Sequence, residues 1–86
     1  MENRAVRVLV FKEADHFVAQ CLEYDISVQA WDLQTLKRRL DATLLMENAS
    51  GRLQEIGPAP QSFQAKWDSA IALAVEFQNA ESRLAA

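Results

Sequence analysis

Residues 26–44 read ISVQAWDLQTLKRRLDATL, and the spacing of their apolar side chains changes at Asp32. Before Asp32, apolar and polar residues alternate, which is typical of a half-buried strand. After it, the apolar spacing becomes helical, at Leu33, Leu36, Leu40 and Leu44. Asp32 itself is a residue type preferred as a helix N-cap. We therefore expect a short strand followed by a helix that ends near Ser50, with Gly51 as its stop.

Two further strand-like segments precede this one. Residues 5–12 read AVRVLVFK and residues 17–24 read FVAQCLEY, with a short polar break between them. Both are rich in β-branched and aromatic residues, and the first is apolar on both of its faces. The two segments predict an antiparallel hairpin, and the third strand extends it to a three-stranded antiparallel meander. With the helix, this gives a β-β-β-α core over about residues 5–51.

The C-terminal part predicts a second helix. Residues 57–60 (GPAP) interrupt the chain, and residues 53–56 before them could add a short edge strand. Ser62 then begins a helix expected over about 62–78, with an apolar stripe at Phe63, Trp67, Ala70, Ala74 and Phe77. This stripe either completes the core or forms a surface for a partner or for self-association. The whole chain, 1–86, is predicted to be a single α+β domain.

Composition limits the function classes that fit the chain. It has 86 residues, half of them apolar, and a net charge of −3, which argues against general binding of polyanions. Its one cysteine, Cys21, cannot form an internal disulfide, which is typical of proteins in a reducing cytoplasm. No apolar stretch approaches the roughly 20 residues that span a bilayer. A cytoplasmic protein without a membrane segment is expected.

The sequence offers few groups for catalysis. The one histidine, His16, lies at the predicted hairpin turn, and its separation from Cys21 is odd, so the two side chains should lie on opposite faces of a strand. We expect a solvated His16 and a buried, structural Cys21. The carboxylates considered as metal ligands are Asp15, Glu23, Asp25 and Asp32. Asp15 and Glu23 lie at opposite ends of a strand, and no glycine-rich phosphate loop is present. No catalytic residue, metal or cofactor is therefore expected.

One basic cluster, Lys37, Arg38 and Arg39, lies on the first helix. It either keeps an outer face solvated or forms a docking patch for an acidic partner or RNA. Arg39 lies near the edge of the apolar stripe, where its long side chain can reach past the leucines.

Residues 17–26, FVAQCLEYDI, followed by Gln29 and a capped helix, closely resemble the HicB-like antitoxin family, whose members carry a strand similar to YVAQCLE-x-DI. The resemblance covers roughly residues 6–48. It implies a three-stranded meander plus helix, a truncated ribonuclease-H-like arrangement without catalytic carboxylates. It also implies binding to a small ribonuclease toxin, HicA. The chain departs from the family at residues 30–32, where Ala-Trp-Asp replaces Gly-Asp-Thr, and its first helix is basic where the family favours acidic residues.

We therefore predict a non-catalytic, HicB-like protein-binding domain that forms a dimer or larger homo-oligomer through strand edges or the C-terminal stripe. A HicA-like toxin is a candidate partner. The partner-binding residues predicted are Trp31, Arg39, Phe63 and Trp67. The alternative is a nucleic-acid-binding accessory protein that uses Lys37, Arg38, Arg39 and Arg52. DNA binding is not expected, because too little chain follows the first helix for a DNA-binding module. A third hypothesis, a metal-dependent nuclease, needs the carboxylates to converge.

Overall fold

The computed structural model of the chain describes residues 6–72 and 80–85. The architecture is α+β. In chain order the elements are β1 (Val6–Glu13), β2 (His16–Cys21), β3 (Ser27–Ala30), α1 (Leu33–Ala49), a 3-10 helix (Arg52–Glu55), α2 (Ser62–Asp68), β4 (Ile71–Ala72) and β5 (Ala80–Leu84).

The strands form one mixed five-stranded sheet in the order β3-β2-β1-β5-β4. The first three strands are antiparallel neighbours, with Val10 opposite Ala19 and Val18 opposite Gln29. On its other side β1 pairs in parallel with β5, and β5 pairs antiparallel with the two-residue β4. β1 is thus the central strand, and β3 and β4 lie at the two edges.

Because β1 is apolar on both faces, the sheet has a core on each side. The side chains of one face pack against Leu36 and Leu40 of α1. The fully or largely buried sheet residues of this first core are Val6, Val8, Val10, Ala19, Cys21 and Ala30. On the opposite face, Leu9 and Leu22 pack against Trp67 of α2, with Phe11 and Phe63 beside them. The two helices therefore lie on opposite faces of the sheet.

The ends of α1 follow the sequence prediction. Asp32 has extended backbone geometry, and its carboxylate accepts hydrogen bonds from the backbone N–H of Thr35 at 2.8 Å and from the Thr35 hydroxyl at 3.0 Å. Ser50 is the C-cap, and Gly51 follows it with φ of 80°, a left-handed conformation that favours glycine. The hydrogen bonds from Thr35 hold the pKa of the Asp32 carboxyl below its usual 3.8, chiefly through the Thr35 backbone N–H.

Replacing Asp32 by alanine should lower the melting temperature at neutral pH, because the Thr35 N–H loses its acceptor. A carboxyl whose pKa is lowered by folding contributes stability above its usual pKa, and that contribution is lost as the pH falls through the lower folded value. The deficit of D32A relative to wild type should therefore shrink below about pH 3.8. The matched control is D32N, which keeps a capping oxygen that does not titrate. A D32A deficit that stays constant from pH 7 to about pH 2 would contradict this assignment.

The C-terminal half differs from the predictions, and its strands β4 and β5, which were not predicted, extend the predicted three-stranded sheet to five strands. Residues 53–56 form no strand; a 3-10 helix covers Arg52–Glu55, and Leu53 and Ile56 pack against the first core. The helix predicted over about 62–78 is wrong for residues 69–72, because α2 ends at Asp68 and the chain turns and enters β4; residues 73–78 of the predicted helix lie outside the described residues. At the end of α2 the Ser69 hydroxyl donates to the carbonyls of Ala65 and Lys66 at 3.4 and 3.3 Å. Ala74 and Phe77 of the predicted stripe lie outside the described residues.

Candidate functional site

Trp31 is the most exposed aromatic side chain in the described part of the protein. It directly follows edge strand β3, and its side chain is 70% exposed. The His16 ring lies edge-on to the indole, with 6.2 Å between ring centroids and 79° between planes. The indole therefore packs against the His16 ring and leaves a large area open to solvent, which a protein partner can cover.

Arg39 lies at the same sheet edge. Its Nη1 donates a hydrogen bond to the backbone carbonyl of Gln29, two residues before Trp31. In an antiparallel edge strand, alternate residues direct their backbone groups away from the sheet, so Gln29 and Ser27 are the outward pair. We call Trp31, Arg39 and these outward backbone groups the β3-edge surface. The structure thus brings together two of the four predicted partner-binding residues.

The other two lie elsewhere. Trp67 is only 4% exposed and packs in the second core with Leu9 and Leu22. Phe63 is half-buried and stacks on Phe11 with 6.2 Å between ring centroids. The predicted stripe is therefore not an open surface over these residues: its aromatic side chains cover the sheet face, as the core interpretation required. Trp67 cannot contact a partner without local opening of α2.

Charged groups surround Trp67 at the boundary of this core. The Arg83 guanidinium lies 4.4 Å from the Trp67 ring centroid and donates to the Trp67 carbonyl at 3.0 Å. Arg7 lies 5.8 Å from the same centroid, and its Nε is 2.6 Å from Glu23 Oε2. Glu23 also accepts from the Arg7 backbone N–H at 2.7 Å. These contacts connect β1, α2 and β5. The two contacts of Arg83 could not be predicted from the sequence, because β5 was not expected.

The predicted nucleic-acid residues do not form a patch of free cations. Lys37 pairs with Asp41 at 3.1 Å, and Arg52 pairs with Glu47 at 2.9 Å. Arg39 is engaged with the β3 edge, as described above. Arg38 donates to the Thr35 hydroxyl at 3.4 Å and interacts electrostatically with the Asp32 carboxylate. All four side chains thus already interact with protein groups.

Cys21 and His16, which lie an odd number of residues apart along β2, are on opposite faces of the sheet. Cys21 is fully buried in the first core, and burial raises the pKa of its thiol above the usual 9.0, which favours the unreactive thiol form. His16 lies on the opposite face, next to Trp31. Its side chain is 22% exposed, and therefore largely covered rather than solvated, a correction to the prediction; the Trp31 ring lies beside it. Within residues 6–72 and 80–85, no three His, Cys, Asp or Glu side chains come close enough to hold a metal ion.

Comparisons with known proteins add no assignment: no protein-family model, no curated protein and no solved structure matches the chain. In the part of the chain that the structure describes, neither helix has the length and apolar character needed to cross a membrane.

Proposed function

We propose that this chain is a non-catalytic, HicB-like protein-binding domain that self-associates and binds a small protein partner at the β3-edge surface. The observation that carries the proposal is the exposed Trp31 indole beside an edge strand. Tryptophan is the residue type most enriched among the side chains that dominate binding free energy at protein interfaces.

The geometry of the edge supports this function. An edge strand has outward N–H and C=O groups that can pair with a strand of a partner. At the β3 edge the Gln29 carbonyl is already bonded to Arg39, so a partner strand there must displace the guanidinium or bind beyond it. Arg39 thereby blocks nonspecific strand pairing at this edge. A carboxylate of a partner can compete with the Gln29 carbonyl for the Arg39 guanidinium.

The HicB-like character rests on residues 17–26. They supply β2 and the turn to β3, which precede Trp31 in the chain. The resemblance implies a HicA-like toxin as the partner. The nucleic-acid alternative has weaker support, because Lys37, Arg39 and Arg52 are engaged with protein groups.

The test uses the protein encoded by the adjacent reading frame, co-expressed with this chain and purified with it. The affinity of the complex is then measured by calorimetry for wild type and W31A. A buried tryptophan anchor contributes at least about 2 kcal/mol, so the dissociation constant of W31A should rise about 30-fold or more.

The matched control is I71A, because Ile71 is 67% exposed and lies at the opposite edge of the sheet. I71A should bind as wild type does. The absence of a complex, or equal affinities for W31A and I71A, would contradict the proposed partner site.

A further inference from the structure

Helix α1 has a second apolar face that points away from the core. Its inward stripe is centred on Leu36 and Leu40, which are fully buried. At 3.6 residues per turn, the side chains about 140° to 240° around the helix from Leu40 include Ala42, Leu45, Met46 and Ala49. All four are exposed, Leu45 by 70% and Met46 by 64%. We call these four residues the α1 outer face.

This face differs from an ordinary solvated helix surface. Surface helices place charged and polar residues opposite the core, whereas helices that are apolar on opposite sides are covered on both. The first half of the same face follows the ordinary pattern, with Thr35 and Arg38. The second half has no charged side chain at its centre. A covering element is therefore expected over the last two turns of α1.

We propose that this element is α1 of a second copy, packed antiparallel across a two-fold axis that passes between Leu45 and Met46. In that arrangement Leu45 faces the partner's Met46, and Ala42 faces the partner's Ala49. The two alanines are seven residues apart, so both fall on the same line of the helix. Their small side chains let the two helix axes approach to about 8 Å.

The charge distribution selects this orientation and this occupant. With the axis between residues 45 and 46, Arg38 lies about four residue positions beyond the last residue of the partner's α1. That end carries the negative pole of the helix dipole and has no basic residue in its last turn, and Arg52 beyond it is paired with Glu47 at 2.9 Å. A parallel pair would instead place Arg38 against Arg38. The face is thus complementary to itself when antiparallel.

The face is small for a stable interface, so we expect a weak dimer. A 17-residue helix is about 26 Å long, and a single helix pair buries less than the roughly 800 Å² per partner of a standard stable interface. The dimer is therefore a weak one, with a dissociation constant on the order of micromolar to tens of micromolar.

The first test is sedimentation or light scattering of the full chain from about 1 to about 500 µM. The double variant L45E/M46E should raise the dimer dissociation constant at least about tenfold, since two carboxylates would be desolvated at the axis. R38E should also weaken the dimer, because it puts a negative charge at the negative end of the partner helix. The control I71E adds a charge at a similarly exposed side chain off this face and should dimerise as wild type does.

Cysteine cross-linking tests the orientation. Cys21 is buried, so new surface thiols are the reactive ones. Under mild oxidation, a mixture of A42C and A49C should give a heterodimer disulfide, and each variant alone should give little. Homodimer disulfides from A42C alone would overturn the antiparallel arrangement.

This inference rests on the self-association in the proposed function, and the outcomes separate the two. A wild-type dimer that L45E/M46E leaves intact would overturn the α1 interface while self-association stands. A dimer lost in W31E but kept in L45E/M46E would assign the second copy to the β3 edge instead. A wild type that stays monomeric throughout the range would overturn both, leaving the Trp31 partner site to its own binding test.

Discussion

Replacing Trp67 by alanine is expected to lower the free energy of unfolding by about 3 to 5 kcal/mol. The indole is 4% exposed and fills the space between α2 and the sheet face that carries Leu9 and Leu22. Its loss leaves a cavity at the centre of the second core and also removes the ring that Arg7 and Arg83 approach. Since small domains are stable by only about 5 to 15 kcal/mol, W67A should be close to marginal at 25 °C.

The measurement is urea unfolding followed by far-ultraviolet circular dichroism, so that loss of Trp67 fluorescence does not remove the signal. The matched control is W31A, which deletes the same side chain where it is 70% exposed. W31A should change the free energy of unfolding by no more than about 0.5 kcal/mol. Similar losses in both variants would mean that Trp67 is not the centre of a core. The pair also separates the core role of Trp67 from the binding role proposed for Trp31.

The first half of the fold could be predicted because its signals are local. The change of hydrophobic period at Asp32, the cap itself and the stop at Gly51 all concern residues within a few positions of one another. The apolar character of β1 on both faces also has a direct counterpart, a core on each side of the sheet. Such patterns follow from the side-chain periods of the helix and the strand, so a short window of sequence is enough to show them.

The second half could not be predicted in this way. Phe63 and Trp67 have helical spacing and do lie on a helix, yet α2 ends at Asp68. The reason is non-local: β1 has a second edge to pair, and Ala80–Leu84 fills it as a parallel strand. The alternation of small, charged and apolar residues in Ala80–Leu84 is too weak to predict a strand by itself. Pairing with β1 stabilises the strand instead. The conformation of the turn between β1 and β2 could not be predicted either, because Ala14 takes a φ of 56°, which favours glycine or asparagine.

The residues of the candidate surfaces could be predicted from the sequence in part, but their arrangement could not. Trp31 and Arg39 could be named from the sequence because each interrupts a regular pattern, one at the helix cap and one beside the leucine stripe. That both lie at one sheet edge required the structure. The α1 outer face was missed because Leu45 and Met46 directly follow Leu44 and look like a continuation of the core stripe. The helical period alone puts them on the side opposite Leu36 and Leu40, and the structure shows that they are exposed there.

The orientation of α1 on the sheet predicts a second large effect, a difference in stability between two leucine variants of the same helix. L40A should lower the free energy of unfolding by about 2 to 5 kcal/mol, because Leu40 is fully buried against the first core and alanine leaves a cavity. L45A changes the same residue type on the same helix, where it is 70% exposed, so helix propensity changes equally in both variants. At protein concentrations well below the dimer dissociation constant, L45A should lower the free energy of unfolding by no more than about 0.5 kcal/mol.

Concentration then separates the two leucines further. If the outer face of α1 packs against the same face of a second copy, the loss of unfolding free energy caused by L45A should grow as the protein concentration rises, since the dimer stabilises only the folded chain. The cost of L40A should not depend on concentration, because its contacts lie within one chain. Urea midpoints measured near 2 µM and near 200 µM for wild type and both variants provide this comparison. Equal costs for the two leucines would contradict the orientation of α1 on the sheet, on which both the first core and the outer face depend.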